Sequence, residues 1–244
     1  MTHRWDWTVA DPKPPRVHLR RGAYTVIEGR IYPFNRAIHV VPSFVPPAEW
    51  PRYRAIDFGV RDPFVCLWIA WDTATDTMHV YRELYVTDRS TLHNGATIAE
   101  WSAEERRPAL DERGRRLLDD DGGPATEPLP HEWTVADSAD LNARMILANE
   151  YDIATHPAIK DIDEGINAVC DRLRPDAEGM PHLVVHACCP NTIREHEGWA
   201  WRPNQSRMPM DRDNHTCDCA RYHVLFHALQ YPRRSVMEAE EAAG

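Results

Sequence analysis

Three β-forming segments follow one another between residues 53 and 86, and this succession constrains the fold more than any other feature. They read YRAIDFGV, FVCLWIAWD and TMHVYRELYV. Long apolar stretches rich in Val, Ile, Tyr and Trp are typical of buried strands. Only the TATD turn separates the second segment from the third, which is too short for a crossover between parallel strands. The sequence therefore predicts an antiparallel three-strand meander.

Strands and helices alternate in the remainder of the chain. The segments EWTVADSA, DIATHPA and HLVVHA are predicted strands. Predicted helices lie before, between and after them, in the segments TLHNGATIAEWSAEERR, LNARMILANEY, IKDIDEGINAVCDRL, CPNTIREHEGWAW and HTCDCARYHVLFHALQ. A meander followed by such alternation indicates an α/β fold, with a mixed sheet of antiparallel and parallel strands covered by helices on both faces.

Proline-rich stretches and changes in composition suggest that the chain divides into an N-terminal arm, a main domain and a tail. Residues 1–50 are predicted to form an N-terminal arm in which AYTVIEGRIY and RAIHVV are short strands, with a turn near Glu28 and Gly29. Residues 51–230 are predicted to form the main domain. Within it, the polar segment 107–131 is rich in Gly, Pro and Asp, and we expect a loop insertion with a small hairpin. Residues 231–244 are predicted to be a flexible tail.

The charge balance limits the kind of partner. The formal net charge is −10, which argues against a protein whose whole surface binds nucleic acid but leaves room for a local basic groove. Of the 28 basic residues, 26 are arginine; the guanidinium suits phosphate contacts, although a G+C-rich genome gives the same bias. No apolar run of about 18 residues and no signal pattern occur, so we expect a cytoplasmic protein without a membrane partner.

Six cysteines raise the question of a zinc site. Four of them, Cys188, Cys189, Cys217 and Cys219, lie near His186 and His223 in the sequence. Their adjacent and one-residue spacings differ from the CxxC pairs of structural zinc sites. Reduced, buried thiols are therefore the favoured interpretation.

Carboxylates at the ends of predicted elements are the main candidates for chemistry. Asp57 interrupts an apolar strand, where burial of a charge is costly unless it is compensated. Asp137 ends the fourth strand of the main domain, and Asp213 and Asp218 lie at the start of the last helix. If the first and fourth strands are neighbours, these side chains converge. Divalent cations relieve the repulsion among converging carboxylates, and their oxygen ligands suit Mg²⁺ or Mn²⁺.

Each carboxylate also has a simpler interpretation. With 38 acidic residues, three of them fall at the ends of elements by chance. Asp57 could be exposed on an edge strand, Asp137 could cap the following helix, and Asp218 could be a solvated helical residue. Spacing alone does not separate these alternatives.

A series of segments in order resembles a known family. RAIDFGVRDPFVCLWIAWD, MHVYRELY, WTVADSAD, DEGINAVCDRL, NTIREHEGWAWRP and DNHTCDCARYHV are together similar to the nuclease domain of the large terminase subunit of tailed bacteriophages, from about residue 29 to about residue 228. The most specific piece, DNHTCDCARY, is similar to the family signature Asp-His-x-x-Asp-Ala-x-Arg-Tyr. Here Asn214 is inserted after Asp213, and Cys219 stands in place of alanine.

This resemblance implies an RNase H-like fold and a metal-dependent endonuclease that cleaves double-stranded viral DNA during genome packaging in the host cytoplasm. It implies two Mg²⁺ or Mn²⁺ ions, with Asp57 bridging both and Asp137 and Asp218 each completing one. The insertion of Asn214 leaves the third carboxylate open between Asp218, which keeps the His-x-x-Asp spacing, and Asp213. Secondary roles are expected for His215 and for Glu83, whose role could also be structural.

The resemblance also implies partners. Expected contacts are double-stranded DNA, a packaging ATPase domain or subunit, the small terminase subunit and the portal. Candidate DNA phosphate contacts are Arg144, Arg194, Arg202, Arg207 and Arg212. No GxxxxGK[ST] phosphate loop occurs in the 244 residues, so this sequence alone is not expected to drive DNA translocation, whether it is a fragment or a separate reading frame.

Two further functions fit the same fold. One is a nuclease resembling the Holliday-junction resolvases, and the other is a non-catalytic packaging or assembly module that retains the fold. Retention of all three carboxylates favours a nuclease over the non-catalytic module.

Overall fold

The computed structural model describes residues 29–203 and 208–231. The predicted turn near Glu28, the candidate contact Arg207 and the predicted tail beyond residue 231 lie outside these ranges. Elements are numbered in chain order. The helices are α1 (Arg36–His39), α2 (Thr91–Ala103), α3 (Leu141–Tyr151), α4 (Ile162–Leu173), α5 (Pro190–Gly198) and α6 (His215–Gln230). The strands are β1 (Val40–Val41), β2 (Arg52–Asp57), β3 (Phe64–Asp72), β4 (Thr77–Val86), β5 (Arg106–Pro108), β6 (Thr126–Pro128), β7 (Trp133–Ala136), β8 (His156–Pro157) and β9 (Leu183–His186).

The predicted meander forms the centre of the main sheet. Strands β2 and β3 pair antiparallel with Asp57 opposite Val65, and β3 and β4 pair antiparallel with a register shift at Trp68 and Ile69. Strands β7 and β8 continue the sheet in parallel beyond β2, while β9 and then β1 continue it in parallel beyond β4. The order is β1-β9-β4-β3-β2-β7-β8. The predicted mixed sheet is therefore confirmed, and β2 and β7 are neighbours.

Alternation along the strands divides the core between the two faces of the sheet. On β3, Val65 and Leu67 face one cluster, and Cys66 and Trp68 face the other. The first cluster includes buried residues of α4, α5 and α6, and the second includes residues of α2 and α3. Helices thus cover both faces, as period-two apolar strands require.

Residues 29–50 pack against the sheet more closely than an arm would. Ile31, Tyr32 and Phe34 are buried in the cluster with α4 and α6. The segment RAIHVV was predicted to be a strand, but its first four residues form α1, and only Val40 and Val41 pair, in parallel with β9. The strand prediction is wrong there because Asn35 caps a helical turn through its side chain.

The segment 107–131 is a local excursion built on a small sheet. Strands β5 and β6 pair antiparallel, and the bridges of Leu110 to Arg116 and of Leu118 to Pro124 extend the excursion outward. None of the helices in the described ranges is long and apolar enough to span a membrane.

Candidate metal centre

Asp57 ends β2 on the face covered by α6. It shares that face with Tyr53 and Ala55, and only 9% of its side chain is exposed. Its Oδ2 lies 2.9 Å from Nδ1 of His215, the first residue of α6. The aspartate in the apolar strand is therefore buried and paired, and it is not an exposed edge residue.

Asp137 follows β7 directly and lies beside the end of β2. Its N–H donates to the carbonyl of Ile56 at 3.0 Å, so the parallel ladder brings it next to Asp57. The helix that follows is capped by Asp140, which accepts from the N–H of Ala143, so Asp137 is not the cap. One Asp137 oxygen, Oδ1, accepts from the N–H of Ala139 at 2.7 Å and lies 2.5 Å from Nζ of Lys160.

Asp218 lies in the first turn of α6. Its N–H donates to the carbonyl of Asn214, and its Oδ1 accepts from Arg221 at 2.7 Å. Asp213 stands outside the helix, is exposed, and has a left-handed backbone with φ of 48°. The structure therefore places Asp218, and not Asp213, on the helix turn that carries His215.

The three carboxylates interact electrostatically. Burial is the main cause that raises the pKa of Asp57. The hydrogen bond from His215 opposes the rise and the charges of Asp218 and Asp137 add to it, and together these effects bring the pKa to about 6. Burial also raises the pKa of Asp218, against the effect of Arg221, and Asp137 adds to the rise. The hydrogen bond to Asp57 raises the pKa of His215. Residues separated by about eighty positions thus share one electrostatic environment.

Each of the three carboxylates is paired with a basic side chain. Asp57 is paired with His215, Asp137 with Lys160 and Asp218 with Arg221. In this arrangement, no three His, Cys, Asp or Glu side chains of the described ranges are positioned to hold a metal ion. The three carboxylates lie at the carboxyl ends of β2 and β7 and in the first turn of α6, and they repel one another. They nevertheless offer the oxygen ligands that hard divalent cations prefer.

Two glutamates, Glu83 and Glu195, anchor helices α5 and α6 beside the three carboxylates. Glu83 of β4 accepts from the N–H groups of Asn191 and Thr192, from the Asn191 side-chain amide and from the Thr192 hydroxyl, at 2.7–2.9 Å. It caps α5, where Cys189 provides no side-chain cap. Glu195, on α5, is buried and accepts from the N–H and hydroxyl of Thr216.

Three residues of this region were not predicted from the sequence: Lys160, Arg221 and Glu195. Arg221 belongs to the CARY part of the signature, and Lys160 is one of only two lysines, so both carried a signal. Glu195 carried none, because its partner Thr216 is distant in sequence and becomes a neighbour only when α5 packs on α6.

The predicted arginine contacts lie in different settings. Arg144 donates to Thr155, and Arg194 donates to Asn191 and lies over the Tyr85 ring. Arg202 donates to the carbonyl of Pro209, and Arg212 lines the same open groove as Arg202. None of these contacts bears on DNA binding by itself.

Comparison with known proteins places the fold. No family model matches the chain. It is 25% identical over 215 residues to the large subunit of the terminase of Escherichia phage T5, covering 82% of this chain and 42% of that protein. The large terminase of the thermophilic bacteriophage D6E superposes with a TM-score of 0.61 at 18% identity, over 84% of this chain and 47% of that one. The large-terminase nuclease domain of bacteriophage SPP1 with bound Mn gives 0.53 at 18% identity, over 77% and 95%.

The mixed sheet and its helices are therefore those of the RNase H-like nuclease domains of large terminases, as the resemblance implied. In sequence, the chain has a homologue in the terminase large subunit of phage T5, which confirms the resemblance. The chain spans less than half the length of that relative.

Proposed function

We propose that this chain is a metal-dependent endonuclease that cleaves double-stranded viral DNA during genome packaging. The observation that carries the proposal is the convergence of Asp57, Asp137 and Asp218 at the carboxyl ends of β2 and β7 and the start of α6. The large-terminase nuclease domain of bacteriophage SPP1 has bound Mn, which supports a divalent ion as the cofactor. Mg²⁺ or Mn²⁺, as two ions, is the proposed cofactor.

The three carboxylates would hold these ions, which when bound activate water and stabilise the departing oxygen of a phosphodiester. Asp57, Asp137 and Asp218 would be the ligands of these ions, and Asp57 has the least exposed side chain of the three. His215 orients Asp57 through its Nδ1 contact, which fixes the carboxylate rotamer. Glu83 acts indirectly, by capping α5, whose Glu195 in turn holds the first turn of α6.

The proposed substrate and partners follow from the large-terminase relatives. Double-stranded DNA is the substrate, and Arg194, Arg202 and Arg212 are proposed phosphate contacts together with Arg144 and Arg207. A packaging ATPase domain or subunit would supply translocation, and the small terminase subunit and the portal would complete the assembly. The main domain is proposed to begin before residue 51, since Ile31, Tyr32 and Phe34 lie in its core.

Nicking of a supercoiled plasmid in Mn²⁺, with and without chelator, tests the function. Chelation should abolish nicking, and the nearly isosteric Asp57→Asn and Asp218→Asn should reduce it at least about 100-fold, because each removes a proposed ion ligand. Asp213→Asn is the matched control, since this exposed residue lies outside the cluster, and should nick at close to the wild-type rate. Equal nicking by all four proteins would remove the assignment to this site.

A further inference from the structure

The ion pair between Lys160 and Asp137 differs from the other cation–carboxylate pairs of the site. Nζ of Lys160 lies 2.5 Å from Oδ1 of Asp137, yet 45% of the lysine side chain is exposed. Lys160 lies in the short connection between β8 and α4, with water on one side. Its ammonium can therefore leave the carboxylate by rotating its own side chain, without moving an element.

Arg221, in contrast, is fixed. Only 6% of its side chain is exposed, and it packs against Gly165 of α4, where an added Cβ would meet the arginine side chain at 3.2 Å. His215 is the first residue of α6 and is held there by the helix backbone. The site thus has two basic side chains that are held in place, Arg221 by packing and His215 by its contact with Asp57, and one, Lys160, that can withdraw.

The presence of lysine at position 160, where most basic residues of the chain are arginine, also favours a cation that can be displaced. Arginine supplies 26 of the 28 basic residues, and Lys160 is one of two lysines. A guanidinium forms a planar, often bidentate pair with a carboxylate, whereas an ammonium is a compact and strongly hydrated point charge that returns readily to water. At this one carboxylate of the cluster the chain has the cation that is easier to displace.

We propose that Lys160 occupies the place of a divalent ion at Asp137 and withdraws when the ion binds. The inference rests on the proposed function, because it takes the three carboxylates as ion ligands. The ammonium neutralises Asp137 while the ion is absent, which lessens repulsion within the cluster. An arriving cation must displace it, since like charges at one carboxylate repel. Lys160 is thus a positioning residue that sets the divalent-ion concentration at which the site fills.

Calorimetric titration of the full chain with Mn²⁺ tests this directly. Lys160→Met removes the competing ammonium and keeps the aliphatic side chain, so the Kd for Mn²⁺ should fall about 5- to 10-fold. Lys160→Arg keeps a cation, in a form that pairs more tightly, so its Kd should equal or exceed that of the wild type. Arg107→Met is the matched control: it breaks an exposed ion pair with Glu127, in the β5–β6 excursion, and should leave the Kd unchanged.

Thermal unfolding gives a second readout that does not depend on cleavage. The rise in Tm caused by a fixed Mn²⁺ concentration should be larger for Lys160→Met than for the wild type, because tighter binding to the folded state adds stability. Wild-type Mn²⁺ binding with an unchanged or larger Kd in Lys160→Met would overturn the role of Lys160 alone. Absence of Mn²⁺ binding by the wild type at millimolar concentration would overturn the proposed function as well.

Discussion

At the scale of the residue, the burial of the Asp57 carboxylate in the candidate site costs the fold stability. Burial among apolar strands raises its pKa, and the contact with His215 offsets part of this cost. A group kept under such conditions is typical of functional sites, where a local penalty is retained because the charge is needed.

The raised pKa of Asp57 makes metal-free stability depend on pH. The folded form keeps its proton up to about pH 6, whereas the unfolded chain releases it near 3.8. The folded state therefore binds more protons, and stability falls as the pH rises through this window and levels off above it. Two pKa units correspond to at most about 3 kcal/mol.

Asp57→Asn should remove this dependence. With a chelator present, we expect the variant to be more stable than the wild type above pH 6, by up to about 3 kcal/mol, with the advantage shrinking toward pH 4. Chemical denaturation between pH 4 and pH 8 measures the difference, with the exposed Asp213→Asn as control. A difference between Asp57→Asn and wild type that stays constant across this range would contradict the assignment of the shift to Asp57.

At the scale of the element, α5 depends on a carboxylate from another strand. The helix begins at Pro190, which lacks a backbone N–H, and Cys189 gives no side-chain cap, so the next two N–H groups turn to Glu83. A negative charge at this end also interacts favourably with the helix dipole. Glu83, a predicted secondary site residue, thus has a clear structural role.

Removal of this cap should be costly. Glu83→Ala leaves four donor groups without their carboxylate and should lower the free energy of unfolding by about 2–4 kcal/mol. Glu83→Gln retains an acceptor and should cost about 1 kcal/mol. Urea denaturation measures both, with Glu100→Ala, an exposed position on α2, as the control. Equal stability of Glu83→Ala and the control would show that α5 needs no cap from β4.

At the scale of the whole molecule, residues 29–50 contribute to the core. Phe34 is buried and stacks on His39, and Tyr32 packs edge-on against Trp199. Strand β1 extends the sheet beyond β9. The segment predicted to be an arm therefore covers one end of the domain.

Truncation of a core side chain in this segment tests its contribution. Phe34→Ala should lower the free energy of unfolding by about 3–5 kcal/mol, because it leaves a cavity in the cluster shared with α4 and α6. Val45→Ala, at an exposed position of the same segment, should change it by less than about 0.5 kcal/mol. Similar small effects from both would indicate that residues 29–50 form a separable arm.

The sequence by itself determined the central meander and the alternation of strands and helices that follows it, because apolar strand patterns and turn length are local properties. It also identified Asp57 as an unusual residue and α6 as a helix from His215 to Gln230. It could not determine that β1 joins β9, because a two-residue strand carries no pattern of its own.

Only the tertiary structure decided which groups meet. The parallel pairing of β2 with β7 brings Asp137 beside Asp57, and the start of α6 adds Asp218 in preference to the exposed Asp213. The tertiary structure also identified the cations that pair with them, Lys160 with Asp137 and Arg221 with Asp218. Charge interactions depend on distance through space and on burial, and neither is a property of separation along the chain.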